Sequence, residues 1–291
     1  MPAAVTKTHE NFVDAGGVTI HYYAWKAKNP RAVIQLAHGL GEYASRYETL
    51  AQFMVANGIS VYANDHTGHG ETGREQWGGD LSKMGKPGSG GIRGQVATLH
   101  QFTGLIAAEN PTLPLIFLGH SWGSLLGQML LDDHSDDFVA AVLTGTAHRV
   151  PGQMNAGNLN AKHKHLGTTG NEWLSRDPAV AQAFLDDELT FYADTLKLFG
   201  LVDGLRLFGR PKQLSNDIPL LIVIGDEDPL GGEVSVRKLA DDYVRRGRLS
   251  DVEVVVYDGG RHEVFNETNQ EEVRADLLAW LEDRLSLPAA K

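Results

Sequence analysis

The chain has no cysteine among its 291 residues. That excludes disulfides, a thiol nucleophile and cysteine-ligated zinc or iron–sulfur centres, and it fits a reducing compartment, so a cytoplasmic location is expected. No apolar run reaches the roughly 18 residues that would nominate a membrane span. Residues 1–10 lack the apolar segment of a secretory signal. Basic residues are scarce: 26 Lys and Arg against 37 Asp and Glu give a formal net charge of −11. Phosphate binding needs a concentrated basic face, so nucleic acid is not an expected partner, and membrane contact is at most transient. The rest is ordinary: 42% hydrophobic and 22% charged residues, in a length that suits one domain or one domain with an insertion.

Apolar runs alternate with helical patterns. Strands are expected at 11–13, 18–25, 32–37, 59–63, 115–118, 138–143, 219–224 and 252–257, the first two joined by a turn at Asp14-Ala15-Gly16-Gly17. Helices are expected around Tyr47–Met54, at 92–109, from the serine at 121 to about 131, and at 234–245. A last helix is expected behind a capping-box pattern, Thr268 to Glu271, with Val273, Leu277 and Leu281 along one face. Such alternation implies an α/β fold with a mostly parallel sheet covered on both faces and an antiparallel edge at its start. Two stretches break the rhythm. Residues 66–91 are rich in glycine and polar groups and read as a long surface excursion. Residues 148–217 carry a polar patch at 155–165 and then Phe184, Leu189, Phe191, Leu196, Phe199, Leu201, Leu205 and Phe208. They read as an added subdomain that packs on itself, with a cap over the site as the functional reading.

The chemistry centres on Gly119-His120-Ser121-Trp122-Gly123, which directly follows one apolar strand and opens a helix. A reversal this sharp strains the serine backbone and leaves no room for side chains two positions away, so Gly-x-Ser-x-Gly forms a nucleophile elbow. Chance alone yields about 0.15 such matches in a chain of this composition, so the strand–turn–helix context carries the assignment. A serine hydroxyl needs a base and the base an orienting acid, in the order Ser, Asp or Glu, His. The strand at 252–257 leads to His262, taken as the base. The strand at 219–224 leads to Asp226, Glu227 and Asp228; Asp228 is chosen for its reach, and Asp226 is the runner-up. For the oxyanion, the Trp122 amide follows from the elbow. The Leu40 amide follows from His38-Gly39-Leu40-Gly41, which has the form of an HG-type loop.

Other readings compete for the same residues. Gly39-Leu40-Gly41-Glu42-Tyr43-Ala44, with Asp65 ending the next strand, fits a dinucleotide fingerprint but leaves Ser121 and His262 unexplained. A non-catalytic binding module on the same scaffold is the other class. Gly79 to Gly85-Lys86-Pro87 fails as a phosphate loop, with five residues between the glycines and no Ser or Thr after the lysine. His66-Thr67-Gly68-His69 and His163-Lys164-His165 lack further ligands and read as solvent-facing or turn histidines. No metal or organic cofactor is expected.

The sequence resembles the monoglyceride lipase and lysophospholipase group of α/β-hydrolases, some of whose members are labelled serine aminopeptidase-like. The likeness rests on His38-Gly39-Leu40-Gly41-Glu42 with Arg46-Tyr47, Asp65-His66-Thr67-Gly68-His69-Gly70, the elbow, Gly225-Asp226-Glu227-Asp228-Pro229, and Gly260-Arg261-His262-Glu263 with Asn266-Glu267. It implies an α/β-hydrolase fold with an eight-stranded sheet, residues 1–147 and 218–291 forming the core and 148–217 a helical cap. It places the acid at Asp228 and the oxyanion donors at Leu40 and Trp122. It also implies a small-molecule ester substrate with an apolar acyl chain, monoacylglycerol or lysophospholipid, with small esters, thioesters or amides as alternatives. Relatives often carry Met at Trp122, Gly at Ser124 and Ala at Leu40, so a narrowed acyl site is expected here.

Overall fold

The computed structural model describes residues 6–155 and 157–287. Ala156 of the polar patch, the Leu196 side chain and the first five residues of the opening decapeptide lie outside the described residues. Eight strands form one sheet: β1 (Thr6–Val13), β2 (Thr19–Lys26), β3 (Ala32–Ala37), β4 (Ile59–Asn64), β5 (Leu115–His120), β6 (Ala140–Thr144), β7 (Leu220–Gly225) and β8 (Val252–Tyr257). Their order is β1-β2-β4-β3-β5-β6-β7-β8. The β1–β2 and β2–β4 pairs are antiparallel and the remaining pairs parallel. The helices are α1 (Glu48–Ala56), α2 (Gly70–Gln76), α3 (Gly91–Glu109), α4 (Trp122–His134), α5 (Pro178–Asp186), α6 (Thr195–Arg206), α7 (Gly232–Asp242) and α8 (Gln270–Leu285).

The central strands are buried along their whole length, which is why they read as continuous apolar runs rather than as alternation. Successive side chains still point to opposite faces. Phe117 joins a core shared with α3, α4 and α7, while Ile116 and Leu118 join a second core shared with α1 and α8. No described helix is long and apolar enough to cross a membrane.

Several expectations need correction. The first strand extends back to Thr6, because it pairs with β2 residue for residue; as an exposed edge it carries little apolar signal. The capping box does not form. α8 starts at Gln270 behind Asn269, and the Thr268 amide donates instead to Glu267. α7 begins at Gly232 and loosens into a π-turn at Tyr243–Gly247. Residues 66–91 are not simply a surface excursion: they include α2, and 66–70 are buried under the chain. His66 and His69 are therefore buried turn histidines, not solvent-facing ones; His163 is buried too, whereas His165 is exposed. Between β6 and β7, residues 148–217 form turns, a short 3-10 segment, α5 and α6. Phe184, Leu189 and Phe199 are buried there, but Leu201 and Leu205, which follow a break in α6 at Gly200 (φ 69°, ψ 178°), are exposed.

Candidate active site

The parallel strands β5, β7 and β8 all end on one edge of the sheet, and the three chemically distinctive residues leave from those ends. Ser121 sits between β5 and α4 at φ 50° and ψ −117°. A non-glycine residue in this left-handed region costs of order 1–3 kcal/mol and persists only where its surroundings hold it. The Ser121 N–H donates to Thr144 O at 2.9 Å, and its own carbonyl accepts from the Ser124 N–H, the Leu125 N–H and the Ser124 hydroxyl, the last at 2.6 Å. The flanking glycines are sterically required. A Cβ on Gly119 would lie 2.6 Å from Gly123 O, and one on Gly123 would lie 2.1 Å from Ala37 O.

His262 Nδ1 lies 3.0 Å from Asp228 Oδ2, and because an ionised carboxylate can only accept, the imidazole N–H is the donor. Both side chains are essentially inaccessible to solvent. The other oxygen of Asp228 accepts the Leu230 amide at 2.8 Å. Asp226, the runner-up, is exposed, and Glu227 turns to Lys162. The loops after β7 and β8 meet closely enough that a Cβ on Gly225 would fall 1.9 Å from Gly260 O. This contact brings the acid and the imidazole together. Burial pushes the His262 pKa down, but the Asp228 charge and its hydrogen bond outweigh that, and the imidazole titrates above its usual value.

The bond between serine and imidazole is not made. His262 Nε2 is buried without a hydrogen-bond partner. Ser121 and His262 are nonetheless neighbours through one residue pair: Thr144 accepts the Ser121 amide, and a Cβ on the adjacent Gly145 would sit 3.1 Å from His262 Cε1. Catalytic hydrogen bonds are often open without substrate and tighten in the complex.

Ser121, Leu40 and Trp122 line one cavity of about 330 Å³. Trp122 is the first residue of α4, so its N–H is among those without an intrahelical acceptor. Its indole is fixed from two sides, donating to Gln95 Oε1 at 3.0 Å and stacking on Phe199 of α6 at 4.6 Å. Residues 148–217 supply further walls, including Phe184, Phe191 and Trp173, and polar groups such as Asn158 and Asn171.

Sequence reasoning missed the residues that hold this machinery. Glu42 Oε1 accepts the Gly39 N–H at 2.6 Å and the Tyr47 hydroxyl at 2.7 Å, which anchors the loop bearing Leu40. Arg46 bonds Glu42 and then makes two bonds to Glu263, the residue after His262. Burial pushes Glu42 up; in Glu263 burial acts the same way, but Arg46 overrides it and the carboxyl is held down. The His262 loop is also clasped from the other side: its amide donates to Trp173 O, its ring lies 4.7 Å from that of Trp173, and Arg261 donates to the carbonyls of Glu172 and Ser175. The family motif residues Glu42, Arg46 and Glu263 were the one available signal, without a role attached.

The dinucleotide reading finds no support in this geometry. Asp65 is fully buried and accepts the amides of Ala44 and Glu71, so it cannot reach a ribose; burial pushes it up to about 7. The Gly39–Gly41 loop does not open a helix directly either, since a 3-10 turn precedes α1. His38, His66 and His69 cluster behind that loop, and burial pushes His66 to about 3 and His69 to about 4.

A family model described as serine aminopeptidase, S33, matches residues 28–269. The chain is 33% identical to a monoacylglycerol lipase of Mycolicibacterium smegmatis, over 96% of this chain and 99% of that one. It is 24% identical to the monoglyceride lipase of Homo sapiens, over 88% and 84% of the two chains. Among solved structures, a thermostable carboxyl esterase from Bacillus coagulans superposes with a TM-score of 0.80 at 22% identity, covering 97% and 99%. A soluble variant of monoglyceride lipase from Saccharomyces cerevisiae superposes with a TM-score of 0.74 at 19% identity, covering 97% and 95%.

Proposed function

The chain belongs to the serine aminopeptidase S33 family of α/β-hydrolases, and from that membership we propose a carboxylic ester hydrolase acting on lipid-like substrates through an acyl-enzyme on Ser121. The observation that carries the reading is the buried Asp228–His262 pair, joined at 3.0 Å beside a strained serine that opens onto a largely apolar cavity. Ser121 Oγ attacks the ester carbonyl while His262 Nε2, free of any other partner, takes its proton. Asp228 holds the imidazole tautomer and stabilises the imidazolium. The Leu40 and Trp122 amides hold the oxyanion, a contribution of about 3–4 kcal/mol per donor to the transition state. His262 then protonates the departing alcohol, and water, deprotonated by the same imidazole, releases the acid and restores Ser121.

Residues 148–217 act as the cap: they wall the cavity and touch both catalytic loops. At about 330 Å³ the cavity is near the lower end of the usual ligand-pocket range of about 300–1,000 Å³. With Trp122 pinned against Phe199, this favours a medium acyl chain on a monoacylglycerol or lysophospholipid over the longest ones. Ser121→Ala should abolish turnover and labelling by a fluorophosphonate while the far-UV circular dichroism stays native; full activity in that variant removes the scheme. A panel of p-nitrophenyl esters from acetyl to palmitoyl should peak at intermediate length, and a sharp preference for acetyl over octanoyl would overturn the lipid-like part.

A further inference from the structure

Away from the cavity, α3 and α4 pack side by side through Leu99, Phe102, Leu130 and Leu131 of one buried core. At the outer end of this contact, His100 of α3 and His134, the last residue of α4, stack with 3.6 Å between ring centroids and 13° between planes. Asp137, in the 3-10 turn Ser135–Asp137, sets Oδ2 3.2 Å from His100 Nε2. One ligand atom from each of the three side chains lies within 4.8 Å of the other two. No local spacing marks this cluster in the sequence, because His100 lies 34 residues before His134 on a separate helix.

We propose that His100, His134 and Asp137 form a binding site for a divalent transition-metal ion, zinc in the first instance, with water completing the coordination. Tetrahedral zinc holds nitrogen and oxygen ligands at about 2.0–2.2 Å, which spaces them about 3.4 Å apart. The His100–Asp137 pair already has nearly that spacing, and the two partly exposed rings swing out of their parallel stack so that their in-plane nitrogen lone pairs converge on the ion. Two imidazoles with one carboxylate suit zinc, copper or nickel rather than calcium or magnesium, which take oxygen ligands. His134 also closes the C-terminal end of α4, where the helix dipole favours positive charge. The ion lies roughly 20 Å along α4 from Ser121, so it takes no part in ester hydrolysis. It acts as a staple, pinning the helix that directly follows Ser121 to the helix whose Gln95 fixes Trp122.

The test uses the whole chain, stripped with a chelator and equilibrated with zinc ions at neutral pH. One zinc should be taken up per chain, and the melting temperature should rise by mass action. His100→Ala and His134→Ala should each abolish both effects while leaving ester hydrolysis unchanged, and Asp137→Asn should bind more weakly. His9 and His21, whose ring nitrogens lie 3.0 Å apart on the sheet edge, provide the control. No uptake by the wild-type chain overturns the site. So does uptake that persists in the His100→Ala/His134→Ala double variant, or that is lost in His9→Ala instead.

Discussion

Replacing Asp228 by asparagine takes one charge out of a pair that water does not reach. In the native site, burial drives the His262 imidazole toward its neutral form, and the carboxylate 3.0 Å away reverses that, so the group titrates above its usual 6.5. With charge centres about 4 Å apart and an effective dielectric of about 20, the attraction is worth about 4 kcal/mol. Glu263 and Glu42 pull in the same direction but rank below Asp228. With an amide in place of the carboxylate, burial has lost its main counterweight, and the imidazole should titrate below 6.5. The acid limb of the kcat/KM profile reports the base of the free enzyme, so it should move to lower pH. Turnover should fall about 10⁴-fold, because the amide no longer selects the productive tautomer. Hydrolysis of a p-nitrophenyl ester across a pH series, with a pre-steady-state check that the same step is followed, measures both. An acid limb that stays in place or rises refutes the electrostatic argument, and a loss of less than about tenfold refutes the role. Asp226→Asn, in the exposed neighbour, should change neither quantity. Stability gives a second readout with a definite sign. A raised imidazole pKa stabilises the fold fully below the unfolded value, and that contribution is lost as pH rises through the folded one. The urea-midpoint deficit of Asp228→Asn should therefore be largest on the acid side of 6.5 and shrink toward alkaline pH.

Gly123→Ala should lower the urea midpoint by the equivalent of about 1–3 kcal/mol or more and reduce turnover with it, because the new Cβ meets the Ala37 and His38 carbonyls that lead into the Leu40 loop; native stability would contradict the steric account. Arg46→Met strands Glu42 and Glu263 as buried carboxylates without their shared cation and should cost about 3–5 kcal/mol in chemical denaturation. Phe199→Ala removes the ring stacked on Trp122 and should shift the p-nitrophenyl ester profile toward longer acyl chains, at a stability cost of up to about 3–5 kcal/mol; an unchanged profile would mean that this stack does not bound the acyl site.

The relation of sequence to structure differs from one element to the next. The central strands were legible because burial on both faces writes itself as a mostly apolar run, as in Leu220–Gly225 and, with Gln35 as its one polar residue, Ala32–Ala37. The elbow was legible because its constraint is local: Gly119 and Gly123 are required by atoms within a few residues or on the adjoining strand. β1 was only half legible, since a solvent-exposed edge strand places polar residues on both faces and its pairing comes from β2. The false capping box at Thr268 fails for a related reason: Glu267, buried and bonded to Arg176 and Arg261, takes the Thr268 amide first.

Residue types and their order along the chain were enough to nominate an alcohol, an acid and an imidazole, because each is marked by the strand that precedes it. Which acid meets the imidazole, what anchors the Leu40 loop and what clasps His262 were decided only by folding. Arg46 and Glu263 lie 217 positions apart, and His262 and Trp173 belong to segments with β7 between them. A short motif reports the strain and crowding of its own few bonds. Contacts between distant segments depend on where the whole sheet carries its strand ends, and no local pattern records that.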